Sequence, residues 1–139
     1  MNRNALFCGM LGFAAAGLLV SAYLTYLSFT PPTSCPIVSY GIFSCDEVIW
    51  SKYSHFYGVS VALLGLAWFI VALGLILLAW RDGRFMLSLL AWSLLGVAGV
   101  AGFVYTEVFL LEAICPLCTI VHILGLAIFA FSIVGMRTP

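Results

Sequence analysis

The chain has 139 residues, of which 65% are hydrophobic and only 7% are charged, and its mean hydropathy is +1.23. Soluble domains carry roughly 25% charged residues. The charged side chains are too few to cover a water-soluble globule, so lipid must be the main solvent. Five basic and five acidic residues give a net charge of zero, which excludes the basic surface that nucleic-acid binding requires.

Four apolar segments each approach or exceed the roughly 20 residues that a helix needs to cross hydrocarbon. They cover residues 5–28, 58–79, 85–111 and 116–136. We therefore predict an all-α integral membrane protein, a four-transmembrane-helix bundle forming a single domain over residues 1–139, with a loop over 29–57 that contains a short amphipathic helix. A cleaved signal peptide is the alternative for the first segment, but its apolar run exceeds the usual hydrophobic region of roughly 7 to 15 residues.

The basic residues predict the orientation of this bundle. All but one of them fall at one end, namely Arg3, Arg81, Arg84 and Arg137, whereas Lys52 falls at the other. Basic residues accumulate on the cytoplasmic side of membrane proteins. We therefore expect a multi-pass protein of the cell (cytoplasmic) membrane with both termini in the cytoplasm and the 29–57 loop outside.

Two cysteine pairs then lie on the extracytoplasmic side, Cys35 with Cys45 in the loop and Cys115 with Cys118 at the start of the last helix. Unpaired N–H groups and the helix dipole favour a thiolate at a helix start. Pro116 suits the first helical turn. The three-residue spacing places both sulfurs on one face, where a disulfide can form and reopen. We expect Cys115 to be the more accessible and Cys118 the deeper.

Two alternatives to thiol-disulfide exchange would give these cysteines a purely structural role. Extracytoplasmic cysteines commonly form structural bridges, but a bridge between Cys115 and Cys118 closes too small a loop to stabilise the fold much. A four-cysteine zinc site usually pairs two short knuckles, whereas Cys35 and Cys45 are widely spaced, so no metal is predicted. Cys8 lies near the opposite end and is expected to behave as a small hydrophobe, dispensable for exchange.

Residues around the cysteines supply further candidates. The segment 48–57 is aromatic and amphipathic and suits the lipid headgroup region. Within this segment, Ser51 and Tyr53 are stronger candidates for a functional role than Trp50, which is typical of the band of aromatic residues at a membrane–water interface. His122 follows Cys118 by one helical turn and could bond a quinone carbonyl or relay a proton. Its alternative role is a hydrogen bond to a neighbouring helix.

The third apolar segment carries two further features. Glu107 and Glu112 approach the cysteine end and could tune thiol acidity or carry protons, and neither is given a role from the sequence. Gly96, Gly99 and Gly102 recur at intervals of three, which predicts close helix packing.

Several of these residues together resemble a known family. Ser51, Lys52, Tyr53 and Tyr57-Gly58 follow Cys45, Val61-Ala62-Leu63-Leu64-Gly65 come next, and the pattern resumes at Cys115-Pro116-Leu117-Cys118. Over nearly its whole length the chain resembles a small prokaryotic-type member of the vitamin K epoxide reductase family.

This resemblance implies a four-helix bundle around a quinone. It implies that Cys118 lies next to the ring, that Cys115 exchanges with Cys45, and that Cys35 receives electrons from a partner. Ser51 and His122 match positions that border the quinone site. We add Ile49, Trp50 and Tyr53 as candidate quinone contacts.

The predicted function is a membrane thiol-disulfide oxidoreductase that couples oxidation of a thioredoxin-fold partner to quinone reduction. The quinone is of the ubiquinone, menaquinone or vitamin K type. Because the four spans use the 139 residues, we expect the partner to act in trans within a setting of membrane lipid. Three alternatives stay open: a vitamin K quinone or epoxide reductase, a non-enzymatic membrane scaffold with structural disulfides, and a thiol-based metal transporter.

Overall fold

The computed structural model describes residues 2–29, 48–49, 51–52, 55–56 and 58–138. Within them lie helices α1 (Arg3–Ser28), α2 (Val61–Arg81), α3 (Met86–Tyr105) and α4 (Pro116–Arg137). A 3-10 turn, Gly83–Phe85, precedes α3, and a π-helical segment, Thr106–Leu111, continues it. With these extensions the four helices are long and apolar enough to cross a membrane. The prediction of an all-α bundle with four transmembrane helices is confirmed, and with the 3-10 and π-helical extensions of α3 the ends of the spans lie within three residues of the predicted ones.

The surface of the bundle fits a lipid solvent. Large apolar side chains are exposed on every helix: Leu19 is 72% exposed, Ile70 54%, Leu87 64% and Ile123 60%. Water-soluble proteins rarely expose contiguous apolar surface on this scale. In hydrocarbon these side chains carry no penalty, and the helices satisfy their backbone polar groups internally.

The described residues form two apolar clusters inside the bundle. Helix α1 packs against α2 and α4, and α3 packs against α2 and α4. The larger cluster consists of Leu6, Phe7, Met10, Ala14, Phe69, Ile76, Ala79, Met86, Leu89 and Ile128. The smaller one, near the other end of α1, consists of Leu24, Leu27, Ile49 and Cys115.

Polar contacts hold the end of the bundle that carries the arginines. The Arg3 guanidinium donates a hydrogen bond of 2.9 Å to the carbonyl oxygen of Trp80, so the start of α1 lies beside the end of α2. In the turn after α2, the Asp82 carboxylate accepts hydrogen bonds from the Arg84 backbone N–H at 3.1 Å and from its side-chain Nε at 2.9 Å. These bonds lower the pKa of the Asp82 carboxyl. The chain therefore turns tightly between α2 and α3.

The connection from α1 to α2 contains a feature that the sequence did not indicate. A short antiparallel hairpin pairs β1 (His55–Phe56) with β2 (Val59–Ser60). Gly58 adopts a φ of +80°, which a residue without Cβ tolerates. Two-residue strands are too short to produce an alternating pattern. Within the predicted amphipathic segment 48–57, Val48 and Ile49 are helical, whereas His55–Phe56 form β1 instead of helix, and residues 50, 53, 54 and 57 lie outside the described residues.

The glycines of α3 do not share one role. A Cβ at Gly96 would overlap the indole of Trp68, so close packing is confirmed there. Trp68 and Trp92 reinforce this contact, because each indole N–H donates to the other residue's carbonyl oxygen, at 3.3 and 3.1 Å. At Gly99 and Gly102 a Cβ would meet nothing within 4 Å, so the packing prediction is wrong for both. The spacing of these glycines predicts which face of the helix they occupy, but it does not predict whether another helix packs against that face.

The contact between α1 and α2 depends on Gly17. A Cβ at this position would overlap the buried Phe69 ring, whereas a Cβ at Gly12 of the same helix meets nothing within 4 Å. Overpacking a core costs about 1–3 kcal/mol. We expect Gly17→Val to lower the melting temperature of the detergent-solubilised protein, measured by tryptophan fluorescence, and Gly12→Val to leave it unchanged. Equal melting temperatures for the two variants would show that this contact does not limit stability.

Candidate active site

A cavity of about 250 Å³ lies within the bundle at the end opposite the arginines. All four helices contribute to its wall, together with Val48, Ile49 and Ser51 from the connection before α2. Most of the described lining is apolar; the polar members among the described residues are Ser21, Ser28, Ser51, Ser60, Thr106, Glu107, Cys118 and His122. A mostly apolar cavity with a few polar groups is typical of a site for a small organic ligand.

The C-x-x-C motif forms the start of α4. Cys115 is the N-cap, and its Sγ accepts a hydrogen bond of 3.4 Å from the backbone N–H of Cys118. Pro116 occupies the first turn, where a missing N–H leaves no bond unmade. The carbonyl oxygen of Cys115 accepts bonds from the Thr119 backbone N–H at 3.0 Å and from its hydroxyl at 2.9 Å. The local sequence therefore fixes where the helix begins and places Cys118 one turn inside it.

The two cysteines differ in accessibility in the opposite sense to the prediction. Cys115 is 0% exposed and packs with Leu24, Leu27 and Ile49. Cys118 is only partly buried, carries a free thiol and lines the cavity. The expected order is wrong because side chains of α1 and of the connection before α2 cover the helix start, and a position within one helix does not reveal such packing.

His122 lines the same cavity one turn beyond Cys118. Its imidazole stacks on the Phe103 ring of α3, with ring centroids 6.2 Å apart and an interplanar angle of 8°. The stacking fixes the plane of the imidazole while its edge remains available for hydrogen bonds. The side chain is thus held by a neighbouring helix and also placed at the cavity.

Three predicted quinone contacts, Ile49, Ser51 and His122, line the cavity. The Ser51 hydroxyl donates a hydrogen bond of 2.9 Å to the carbonyl oxygen of Val48. Trp50 and Tyr53 lie outside the described residues. So do Cys35 and Cys45, and with them the loop half of the predicted relay and of the zinc alternative.

Ser21 is a cavity residue that the sequence analysis missed. It is 1% exposed, and its hydroxyl is the one buried side-chain polar atom in the described part of the chain without a hydrogen-bond partner. Leaving a buried hydroxyl unpaired costs about 1–3 kcal/mol. The sequence does contain an indication of this role, because Ser21 is a polar residue within an apolar membrane span, and polar side chains in such spans tend to face the bundle interior.

Glu107 is a second residue without a role from the sequence. It lies in the π-helical segment after α3, is 5% exposed and lines the cavity. Its carboxylate accepts a hydrogen bond from the backbone N–H of Cys115. Its carbonyl oxygen accepts another, of 3.1 Å, from the N–H of Ala113. Glu112, by contrast, is exposed and ends this segment with a left-handed φ of 52°.

A cysteine pair at the start of a membrane helix, beside an apolar cavity, is the arrangement of a membrane thiol oxidoreductase. Residues 8–133, nearly the whole chain, match the family model described as the vitamin K epoxide reductase family. The chain therefore belongs to the vitamin K epoxide reductase family, as the sequence analysis predicts. It is a membrane oxidoreductase.

The burial of the two sulfurs predicts different rates of alkylation. In the reduced protein, N-ethylmaleimide should reach Cys118 through the cavity before it reaches Cys115, which the smaller apolar cluster covers. We expect at least a several-fold faster modification of Cys118, measured by peptide mass spectrometry at successive times. Faster labelling of Cys115 would contradict the packing at the start of α4.

Proposed function

We propose that this protein oxidises the thiols of a thioredoxin-fold partner and delivers the electrons to a membrane quinone. One observation carries the proposal: the Cys118 thiol lines an apolar cavity inside a bundle whose outer surface suits lipid. A lipid-soluble oxidant reaches such a cavity without entering water. The same position allows the C-x-x-C pair to exchange with a second pair near the membrane surface.

The cavity residues fit a quinone ring. A cavity of roughly 150 Å³ holds benzene, so the 250 Å³ found here accommodates a larger substituted ring. Gly99 leaves open space on the α3 side. The unpaired Ser21 hydroxyl supplies a donor for a ring carbonyl oxygen, and the edge of His122 supplies a second. A bound quinone accepts two electrons and two protons.

The two cysteines of the C-x-x-C motif and the residues that cover them have distinct roles in this reaction. Cys118 presents its sulfur to the cavity, and Cys115 closes a disulfide with it as the pair loses two electrons and two protons. The N-cap position supports this exchange, because the amide N–H groups at a helix start stabilise a developing thiolate. The covering residues Leu24, Leu27 and Ile49 keep water from Cys115 while the disulfide is formed.

Cys35 and Cys45 complete the proposed relay. Their assignment depends on the sequence pattern and on family membership, with Cys45 reducing the Cys115–Cys118 disulfide and Cys35 exchanging with the partner. The proposed site of exchange is the extracytoplasmic side. Support for this orientation comes from the arginines, since the contact between Arg3 and Trp80 places the helix ends that carry them opposite the cavity.

Replacing the cavity thiol tests the proposed function. We expect Cys118→Ala to abolish reduction of an added ubiquinone analogue by the purified protein with a reduced thioredoxin-fold protein, because Cys118 is the one cysteine among the described residues that lines the cavity. Cys8→Ala is the matched control, since Cys8 is exposed and does not line the cavity. The measurement is the loss of quinone absorbance in the ultraviolet.

Equal activity in these two variants would refute the assignment. Cysteines that stay oxidised whether or not quinone is supplied would favour a structural scaffold. Metal retained in stoichiometric amounts after purification would favour a transporter.

Replacing Ser21 tests the quinone site itself. Ser21→Ala removes an unpaired buried hydroxyl, so we expect the quinone-free protein to become slightly more stable. The same change removes a donor to the ring, and a hydrogen bond worth about 0.5–1.5 kcal/mol predicts a rise in the quinone KM of roughly two- to tenfold. Ser132→Ala is the control, because that buried hydroxyl bonds the Ile128 carbonyl oxygen away from the cavity. An unchanged KM in Ser21→Ala would remove Ser21 from the site.

A further inference from the structure

Glu107 is a buried acidic side chain to which the proposed function gives no task. It lies in a membrane-spanning segment, is 5% exposed and contributes to the cavity wall. Ionisable side chains inside membrane helices are expensive and mark proton or ion pathways more often than packing contacts. The position of Glu107 therefore requires an explanation.

Hydrogen bonds connect Glu107 to the chain that leads into the C-x-x-C motif. Its carbonyl oxygen accepts from Ala113 at 3.1 Å, and its carboxylate accepts from the backbone N–H of Cys115. The first bond ends the π-helical segment, and the second holds the carboxylate at the residue that caps α4. One side chain thus borders the cavity and contacts the backbone of the thiol pair.

We propose that Glu107 carries protons between the Cys115–Cys118 pair and the ring in the cavity. The inference depends on the proposed function. When Cys115 and Cys118 form their S–S bond, two S–H bonds break, and two electrons and two protons leave the pair. The quinone takes up both electrons, and its two carbonyl oxygens each gain one proton. Glu107 accepts one proton at a time from the sulfur side, releases it on the ring side, and ends the cycle unchanged.

Other ionisable residues near the cavity fit this task less well. Glu112 is exposed and does not border the cavity. His122 borders the cavity, but its ring is stacked on Phe103, and it lies one turn of α4 further from the helix start than Cys118. Glu107 alone among these three contacts both the cavity and the cysteine that caps the helix.

Two half-reactions separate proton transfer from a structural role. In the reductive half, dithiothreitol reduces the Cys115–Cys118 disulfide without quinone present. In the oxidative half, decylubiquinone reoxidises the reduced pair under anaerobic conditions. Rapid acid quenching, alkylation and peptide mass spectrometry measure the thiol state in both, so the readout does not depend on steady-state turnover.

The decisive variant is Glu107→Gln, which keeps the shape of the side chain and an oxygen that accepts from the Cys115 N–H but cannot carry a proton. Positioned acid–base groups contribute about 10²- to 10⁴-fold. We expect Glu107→Gln to slow the oxidative half at least tenfold and to leave the reductive half within twofold of wild type. Glu107→Ala, which also loses the hydrogen bond to Cys115, should slow both halves. Glu112→Gln is the matched control and should change neither.

Wild-type oxidation by decylubiquinone in Glu107→Gln would overturn the inference while the proposed function stands. Equal slowing of both halves in Glu107→Gln would also overturn it, because the residue would then act on the thiols alone. If Glu107→Gln does not fold, Glu107→Asp and Glu107→Asn provide a second matched pair, of which only Asp should sustain fast oxidation. Failure of the wild-type protein to be oxidised by decylubiquinone would instead refute the proposed function itself.

Discussion

The hydrogen bond from the Cys118 backbone N–H to the Cys115 sulfur determines how this site is built. A helix that begins inside a lipid-facing bundle leaves its first N–H groups without partners, and hydrocarbon offers none. Here the sequence supplies a sulfur at the cap and Pro116, which has no N–H, in the first turn. The sulfur of one proposed redox cysteine thus also accepts a hydrogen bond from an N–H group at the helix start.

The connection between α3 and α4 follows from this constraint. Glu107 accepts hydrogen bonds from Ala113 and Cys115, and the chain between them turns through a left-handed Glu112. The π-helical geometry of the segment that contains Glu107 is uncommon and often occurs at functional sites. Only residues 112–115 separate this segment from α4, so the connection holds Glu107 near the cysteine that caps the helix.

Much of the fold could be predicted because it depends on composition and local spacing. Four apolar runs of sufficient length fix the spans, and a C-x-x-C with proline in its first turn fixes the start of α4 at Pro116. The features that could not be predicted depend on contacts between distant segments. Burial of Cys115 by α1 side chains, open space at Gly99 and the unpaired Ser21 hydroxyl all arise where helices meet, and no periodic pattern records them.

We propose that the cysteine pair of α4 is oxidised directly by a quinone ring in the cavity. A stoichiometric titration in a Cys35→Ala, Cys45→Ala variant tests this direct oxidation, because Cys115 and Cys118 are then the one remaining pair of the proposed relay. Reduced protein is mixed anaerobically with decylubiquinone, and quinol and disulfide are both counted. Direct oxidation predicts one Cys115–Cys118 disulfide for each quinone reduced. Quinone reduction that leaves Cys118 as a thiol, or no reduction at all, would contradict it.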